Sequence, residues 1–157
     1  MAVGGTAFDY QERTGIEMDK IQICDAANKD TEHITHQLIQ YNDRQLAFEQ
    51  EPPFLHINRC IRHGGEVVGG ILSQIYWNML HIDILWVQEA HRHNGYATAL
   101  LTDVENTAKT MQCTIAHLDT YDFQAKGLYE KMGYTVFGAL EDCPQGHTHY
   151  YMAKKLV

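Results

Sequence analysis

Hydrophobic and polar residues repeat with two different periods along the chain, and the changes of period predict an α+β fold. Apolar residues at alternate positions, or in short runs bounded by turns, indicate β-strands, whereas a spacing of three to four indicates amphipathic helices. Seven segments have the strand pattern: Lys20–Cys24, Leu55–Arg62, Val67–Trp77, Leu80–Val87, Thr114–Asp119, Tyr134–Leu140 and His147–Lys155. Four have the helix pattern: a segment carrying Ile34, Leu38 and Ile39, then Asn42–Gln50, Thr98–Met111 and Phe123–Met132.

Turn and cap residues set the boundaries of these elements. Asn28 or Asp30 can cap the first helix, and Pro52 with Pro53 ends the second. The sequence His63-Gly64-Gly65 predicts a hairpin, and Gly133 lies where a left-handed helix C-cap is expected. The order of elements is strand, two helices, three antiparallel strands, helix, strand, helix and two strands. This order is typical of an α+β fold with one mostly antiparallel sheet.

Length and cysteine content favour a single domain without disulfide bonds. The 157 residues, 45% of them hydrophobic, are too few for two full domains and show no internal repeat. We expect residues 1–17 to form a flexible N-terminal arm and residues 18–157 to form the domain. Four scattered cysteines without a C-x-x-C pair argue against a disulfide framework or a zinc knuckle. Free thiols suggest a reducing compartment, and therefore the cytoplasm.

The net charge of −8 narrows the classes of partner. A nucleic-acid or anionic-membrane binder needs a basic face, so we expect neither nucleic acid nor membrane as a partner. No apolar run is long enough to span a bilayer, and the first residues do not resemble a signal peptide. A cationic small substrate is compatible with the charge, although acidic proteins are common.

The segment from Arg92 to Ala97 predicts an anion site. It follows the apolar strand pattern that ends at Val87 and leads directly into the helix that begins near Thr98. Backbone N–H groups at a helix start lack intrahelical partners, and the helix dipole adds positive potential there. Gly95 and Ala97 let a diphosphate approach the backbone closely, and the guanidinium of Arg92 can add charged hydrogen bonds.

Two motifs in this order resemble the GNAT superfamily of N-acetyltransferases. Arg92-x-x-Gly95-x-Ala97 matches the superfamily's pyrophosphate-binding signature, Gln/Arg-x-x-Gly-x-Gly/Ala. The later run from Ala125 to Tyr134 is similar to its helix-to-strand signature, Ala-x-x-Leu-Tyr-x-x-x-Gly-Phe. The order of elements also agrees, so the resemblance covers residues 18–156. It implies a mixed, mostly antiparallel sheet of about seven strands flanked by about four helices.

The resemblance implies an acetyl-CoA-dependent N-acetyltransferase that moves the acetyl group directly to a primary amine of a small molecule or peptide. A polyamine, an aminoglycoside-type drug, a free amino acid and a peptide amine all stay open as acceptors, and a homodimer is plausible. Asp122 departs from the pattern, since many members have Asn there. The implied acetyl-CoA-binding residues are Leu85, Trp86, Val87, Arg92, His93, Asn94, Gly95, Tyr96, Ala97, Thr98, Asp122 and Ala125.

The same resemblance implies catalytic roles for three side chains. Tyr129 lies at the position of the family's tyrosine and is the candidate acid for the departing thiolate, unless it is only a core aromatic. His81 is the candidate base, which Asp83 can orient, although both can equally be ordinary strand residues. Strand alternation predicts that His81, Asp83, Leu85 and Val87 share one face. The Val87 amide is a natural donor to the oxyanion.

Other interpretations stay open at this point. Two histidine pairs, His91 with His93 and His147 with His149, supply too few ligands for a metal site, and we expect no metal. A non-catalytic acyl-CoA binding or sensing module on the same fold is the main alternative function. An unrelated nucleotide-binding domain is a second, but the chain has neither G-x-G-x-x-G nor a Walker lysine.

Overall fold

The computed structural model describes residues 21, 23–46 and 54–157. By its internal contacts the chain divides into two compact units, residues 1–47 and 48–157. The predicted arm at residues 1–17 lies outside the described residues. The organisation of residues 18–157 as one domain stays a prediction.

The first unit contains helix α1, Asn28–Asp43. Ala27 is its N-cap, and the Asp30 carboxylate accepts the Ala27 N–H at 3.0 Å, so neither predicted residue is the cap itself. The strand expected at Lys20–Cys24 is wrong for the described Ile21, Ile23 and Cys24, which are in no strand. A five-residue alternating pattern specifies side-chain directions but not a pairing partner, and a strand needs one.

The helix expected at Asn42–Gln50 is also wrong where it can be compared. Asn42 and Asp43 end α1, and residues 44–46 form a turn in which the Gln45 N–H donates to the Asn42 carbonyl at 2.8 Å. The remaining residues of that prediction lie outside the described parts. The described chain therefore has three α-helices and one short 3₁₀ turn, Glu89–His91, where about four helices were expected.

The second unit is built on a seven-stranded sheet. Its strand order is β1-β3-β4-β5-β7-β6, with β2 also paired to β3, and among the described strands only the β4–β5 pair is parallel. The predicted mostly antiparallel α+β fold is confirmed. The strands are β1 Leu55–His56, β2 Arg59–His63, β3 Glu66–Tyr76, β4 Met79–Val87, β5 Ile115–Tyr121, β6 Thr135–Leu140 and β7 His149–Lys155.

Local chemistry explains the first strands. The predicted hairpin turn is confirmed: Gly64 and Gly65 have φ values of 58° and 91°, which residues with a Cβ rarely adopt. The single strand expected at Leu55–Arg62 is two strands, β1 and β2. Between them the Asn58 side chain accepts the Ser73 N–H at 3.1 Å, a bond that a continuous strand would make with its backbone.

Helix α2, Tyr96–Thr110, packs its apolar stripe against β3 and β4. Leu101, Val104 and Ala108 on this stripe are fully buried, as the helical spacing predicts. One buried residue of α2 is charged: Glu105 accepts hydrogen bonds from the Tyr134 hydroxyl at 2.9 Å and the Lys154 ammonium at 2.6 Å. These contacts connect α2 to the residue that precedes β6 and to β7.

Helix α3, Lys126–Lys131, is shorter than the predicted Phe123–Met132. The Gln124 side chain accepts the Tyr121 N–H at 3.1 Å and the Thr120 hydroxyl at 3.1 Å, which holds the preceding residues in a turn. At the other end Gly133 has a φ of 92°, so the predicted left-handed C-cap is confirmed.

Candidate active site

The two parallel strands of the sheet separate, and their separation opens the site. Their pairing begins at Met79 with Ile115 and ends at Ile82 with Leu118. Beyond that pair lies a cavity of about 570 Å³, which we call the cleft. Its lining residues come from β4, β5, the α2 start and the segment around α3: Ile82, Asp83, Ile84, Leu85, Trp86, Val87, Arg92, Ala97, Asp119, Thr120, Phe123, Gln124, Ala125, Leu128 and Tyr129.

A β-bulge at Asp83 changes which residues of β4 share a face. Ile82 is registered with Ser73 and Ile84 with Leu72, so Asp83 is the extra residue. Asp83 stays on the side of His81, whose Nδ1 lies 3.3 Å from its Oδ1. Leu85 is registered with buried Ile71, on the opposite face. The prediction that Leu85 and Val87 share a face with His81 and Asp83 is therefore wrong, because the inserted residue shifts the alternation.

The backbone of β4 offers hydrogen-bonding groups to the cleft. The Gln88 N–H donates to the Val68 carbonyl at 2.9 Å, so Gln88 faces β3. Strand alternation then turns the N–H and C=O of Val87 and Leu85 toward the cleft, and those of Trp86 toward β3. The Val87 carbonyl accepts the Arg92 Nε–H at 3.2 Å. Within the described residues this alternation leaves the Val87 N–H without a partner on β3, so it is available to a ligand lying along β4.

The loop before α2 is fixed by its own side chains. Asn94 donates to the carbonyls of His91 at 3.1 Å and Arg92 at 3.2 Å. His93 and Gly95 both have left-handed backbone, with φ values of 64° and 78°. This sharp turn brings the loop from β4 directly to the first residue of the helix.

The start of α2 presents free backbone donors. Gly95 is the N-cap without a side-chain cap bond, and its carbonyl accepts the first helical bond, from Ala99 at 2.9 Å. The N–H groups of Tyr96, Ala97 and Thr98 therefore have no partner within the helix. A Cβ at Gly95 would meet no atom within 4 Å, so the space beside the N-cap is open. The predicted anion loop has the geometry that an anion site requires.

Tyr129 reaches the cleft from α3 through the protein interior. It is 6% exposed and packs edge to face on Tyr134, with ring centroids 5.9 Å apart. Its hydroxyl has no hydrogen-bond partner among the described residues, and the side chain lines the cleft. Burial, with a smaller effect from the charge of Asp119, raises the pKa of Tyr129 to about 12. The phenol is therefore a protonated donor at neutral pH.

A group of polar rings surrounds Asp83 on the sheet. The Asp83 carboxylate also accepts the Gln74 side-chain amide at 3.2 Å. His81 stacks on His117 with ring centroids 4.4 Å apart and a 5° angle between the planes. The Tyr76 hydroxyl lies 3.0 Å from Nε2 of His117. Burial and the neighbouring His81 lower the pKa of His117, against the opposing charges of Asp119 and Asp83.

Asp119 is a cleft residue that the sequence reasoning missed. It follows Leu118, the last residue of β5 that pairs with β4, and its Oδ2 lies 2.7 Å from Nε2 of His149. A general rule could have pointed to it, since ligands bind at the carboxyl ends of neighbouring parallel strands that separate. Nothing in the local pattern of β5 distinguishes this carboxylate from a solvated one.

The two remaining predicted cofactor contacts differ in position. Ala125 lines the cleft. Asp122 does not line it, because its carboxylate binds the loop before β7: Oδ1 lies 3.0 Å from Nδ1 of His147, and Oδ2 accepts the Thr148 N–H at 3.3 Å. Asp122 therefore holds this loop, which is a different contact from the one expected.

The described residues contain neither a metal-binding cluster nor a membrane-spanning helix. No group of three or more histidine, cysteine, aspartate or glutamate side chains within residues 23–46 and 54–157 could hold a metal ion. No helix in the same ranges is long and apolar enough to cross a membrane.

Comparison with known families identifies this arrangement. Residues 20–134 match the model of the family described as Acetyltransferase (GNAT) family. The chain belongs to the GNAT acetyltransferase family. The resemblance seen in the two sequence motifs is thereby confirmed, and with it the assignment to the acyltransferases.

Individual GNAT relatives agree with this assignment. The chain is 31% identical over 114 residues to blasticidin-S acetyltransferase of Streptomyces morookaense, which covers 72% of this chain and 84% of that protein. An acetyltransferase crystal structure from Bacillus cereus superposes with a TM-score of 0.79 at 35% identity, covering 86% of this chain and 97% of that one. PaiA N-acetyltransferase from Thermoplasma acidophilum, solved with coenzyme A, shares the fold with a TM-score of 0.56 at 17% identity, covering 79% and 70%.

Proposed function

We propose that this chain transfers the acetyl group of acetyl-CoA directly to a primary amine. One observation carries the proposal: the cleft joins the backbone donors at the α2 start with the N–H of Val87 and the hydroxyl of Tyr129, neither of which has a partner among the described residues. A diphosphate, a thioester oxygen and a departing sulfur need donors of these kinds. The residues present therefore fit acetyl-CoA.

The α2 start and β4 would hold the donor. The N–H groups of Tyr96, Ala97 and Thr98, with the Arg92 guanidinium, can bind the diphosphate. The cleft-facing backbone of Leu85 and Val87 can pair with the extended amide-containing arm in the manner of an added strand. Within the loop, His93 supplies a left-handed turn and Asn94 holds the turn closed.

When bound, acetyl-CoA supplies an acetyl group on sulfur. In the transfer a C–N bond forms and the C–S bond breaks, while the amine nitrogen loses a proton and the sulfur gains a hydrogen bond or a proton. The Val87 N–H can donate to the carbonyl oxygen as it becomes negative. With its pKa raised to about 12, Tyr129 stabilises the thiolate chiefly as a hydrogen-bond donor that stays protonated.

We propose His81 and Asp83 as the pair that takes the amine proton. Asp83 lines the cleft and can contact the incoming amine, and His81 lies beside it, 3.3 Å from its carboxylate. A base must be within hydrogen-bond reach of the proton, directly or through one water. His81 does not itself line the cleft, so Asp83 or a water would connect the two.

A thiol-release screen with acetyl-CoA and diverse primary amines tests the proposed function. The relative named blasticidin-S acetyltransferase makes blasticidin S one compound to include. We expect amine-dependent thiol release and an acetylated product by mass spectrometry. Tight acetyl-CoA binding in calorimetry with no release for any amine would contradict the proposal and favour a binding module.

Because its described cysteines, Cys24, Cys60, Cys113 and Cys143, are free, we also propose a cytoplasmic location.

A further inference from the structure

The charges of the cleft are separated along its length. Its cationic lining residue within the described parts of the chain is Arg92, next to the helix start. Its anionic lining residues, Asp83 and Asp119, lie where β4 and β5 separate. Each carboxylate is the first residue beyond the last paired rung, and each has an imidazole partner, His81 and His149 respectively.

The position of Tyr129 connects this end of the cleft with the reacting group. The Tyr129 hydroxyl, on a side chain that is 6% exposed, has no partner among the described residues. Tyr129 lines the same cavity, close enough to Asp119 for the carboxylate to raise its pKa. No buried side-chain polar atom of the described residues lacks a hydrogen-bond partner, so the Tyr129 hydroxyl is accessible from the cavity. Because the proposed function gives this hydroxyl to the departing sulfur, the acceptor must enter beside it, next to Asp119.

From this geometry we infer that the acceptor is a cation without a carboxylate next to its reacting amine. The inference rests on the proposed function and narrows its acceptor. Two carboxylates attract an ammonium or guanidinium group and repel an acceptor carboxylate at the same place. Amines that bear a second basic group are preferred, and free α-amino acids are excluded. The exposed rings of Trp86 and Phe123 at the cleft can cover the apolar or planar part of such a cation.

Three related compounds separate the effect of the acceptor's carboxylate from that of its amine and guanidinium groups. Agmatine and arginine differ by a single carboxylate beside the same amine, and argininamide replaces that carboxylate with a neutral group of similar size. We expect agmatine and argininamide to bind the CoA-loaded protein in calorimetry at least about tenfold more tightly than arginine. Thiol release with acetyl-CoA should follow the same order.

Charge-removing variants identify the residues responsible. Asp83→Asn and Asp119→Asn keep the shape and one acceptor oxygen while removing the charge, and each should reduce the discrimination between agmatine and arginine to within about threefold. Asp103→Asn is the matched control, because Asp103 is an exposed aspartate on α2 that pairs with Arg59 at 2.7 Å. It should retain the full discrimination. Thermal unfolding verifies that all three variants fold.

The outcomes separate this inference from the proposed function. Preferential binding of agmatine and argininamide supports the inference about this end of the cleft, whereas absence of thiol release with every amine of the wider screen would remove the proposed transfer. Thiol release with arginine at least as fast as with agmatine and argininamide overturns the inference and leaves the transfer standing. Discrimination that persists in both aspartate variants also overturns it. Binding of none of the three cationic compounds to the CoA-loaded protein contradicts the inference as well.

Discussion

Ile82 and Leu118 are the last paired residues of the two parallel strands, and the residue after each of them is an aspartate that lines the cleft. The fold thus places opposed carboxylates at the point where the backbone ladder ends. The bulge at Asp83 keeps its side chain on the side of His81 although the strand alternation shifts there. The bulge in the β3–β4 pairing therefore lies at the residue where the β4–β5 pairing has ended, and this residue lines the cleft.

The α2 start should be essential for binding of acetyl-CoA. Gly95→Asp places a carboxylate at the N-cap of α2, beside the free donors, at a residue with φ of 78°. Repulsion of the diphosphate and backbone strain should weaken binding by at least about a hundredfold. Calorimetry with acetyl-CoA measures the loss. Gly65→Asp is the control, because Gly65 has a similar φ of 91° with open space around it in the β2–β3 turn. Equal affinity in the two variants would contradict the placement.

Tyr129 should act on turnover more than on binding. Tyr129→Phe keeps the ring packed on Tyr134 and removes the hydroxyl that faces the cleft. We expect kcat to fall about a hundredfold, while KM for acetyl-CoA changes little, since the lost hydrogen bond forms chiefly as the sulfur departs. Tyr150→Phe serves as the control, because no hydrogen bond of its hydroxyl is found in the described chain. Full turnover by Tyr129→Phe would remove the proposed role.

His117 should make the fold sensitive to acid. Its folded pKa is lowered by burial and by His81, against Asp119 and Asp83, while the Tyr76 hydroxyl faces its Nε2 and β7 offers only Ala153 opposite it. The neutral form is therefore the stable one in the folded protein. Its stability contribution is present above the unfolded pKa of about 6.5 and is lost as the pH falls through the lower folded value.

Urea unfolding of the wild type and His117→Gln at pH 7.5 and pH 5 tests this dependence. The wild type should lose more free energy of unfolding between the two pH values than the variant, which cannot take up this proton. Identical losses in the two proteins would show that His117 does not bind the additional proton on unfolding.

Glu105 should stabilise the fold strongly. Its two carboxylate oxygens accept from Tyr134 and Lys154, and it is 3% exposed. Glu105→Ala leaves a buried hydroxyl and a half-buried ammonium without their acceptor, which should cost about 3 kcal/mol of unfolding free energy. Glu130→Ala removes an exposed helix pair with Lys126 and should cost about 0.5 kcal/mol or less. Equal unfolding free energies for the two variants would disprove the importance of the buried network.

Most of the strands and the α2 helix could be predicted from the sequence because their signals are local. The alternation in β3, the Gly64-Gly65 turn and the left-handed Gly133 depend on neighbours within a few residues. The prediction of a strand at Lys20–Cys24 was wrong for the opposite reason. Whether Ile21 and Ile23 join a sheet depends on a partner strand that no local pattern specifies.

The residues of the candidate site also differ in whether local sequence predicts them. The loop from Arg92 to Thr98 could be found because one continuous motif carries both the turn and the helix start. No local pattern marks Asp119, since its role depends on where β5 stops pairing with β4, which is a property of two distant segments. Only the general rule for the carboxyl ends of separating parallel strands points to it. The same holds for the bulge at Asp83: residues 80–87 read as an uninterrupted strand, and only the register with β3 shows the inserted residue.

A crystal structure of the protein with acetyl-CoA tests the central claim most directly. We predict the diphosphate within hydrogen-bond distance of the N–H groups of Tyr96, Ala97 and Thr98. The thioester should lie between the separated strands, with its oxygen toward the Val87 N–H and its sulfur toward the Tyr129 hydroxyl. A diphosphate bound elsewhere at full occupancy, or a thioester outside the cleft, would contradict this account.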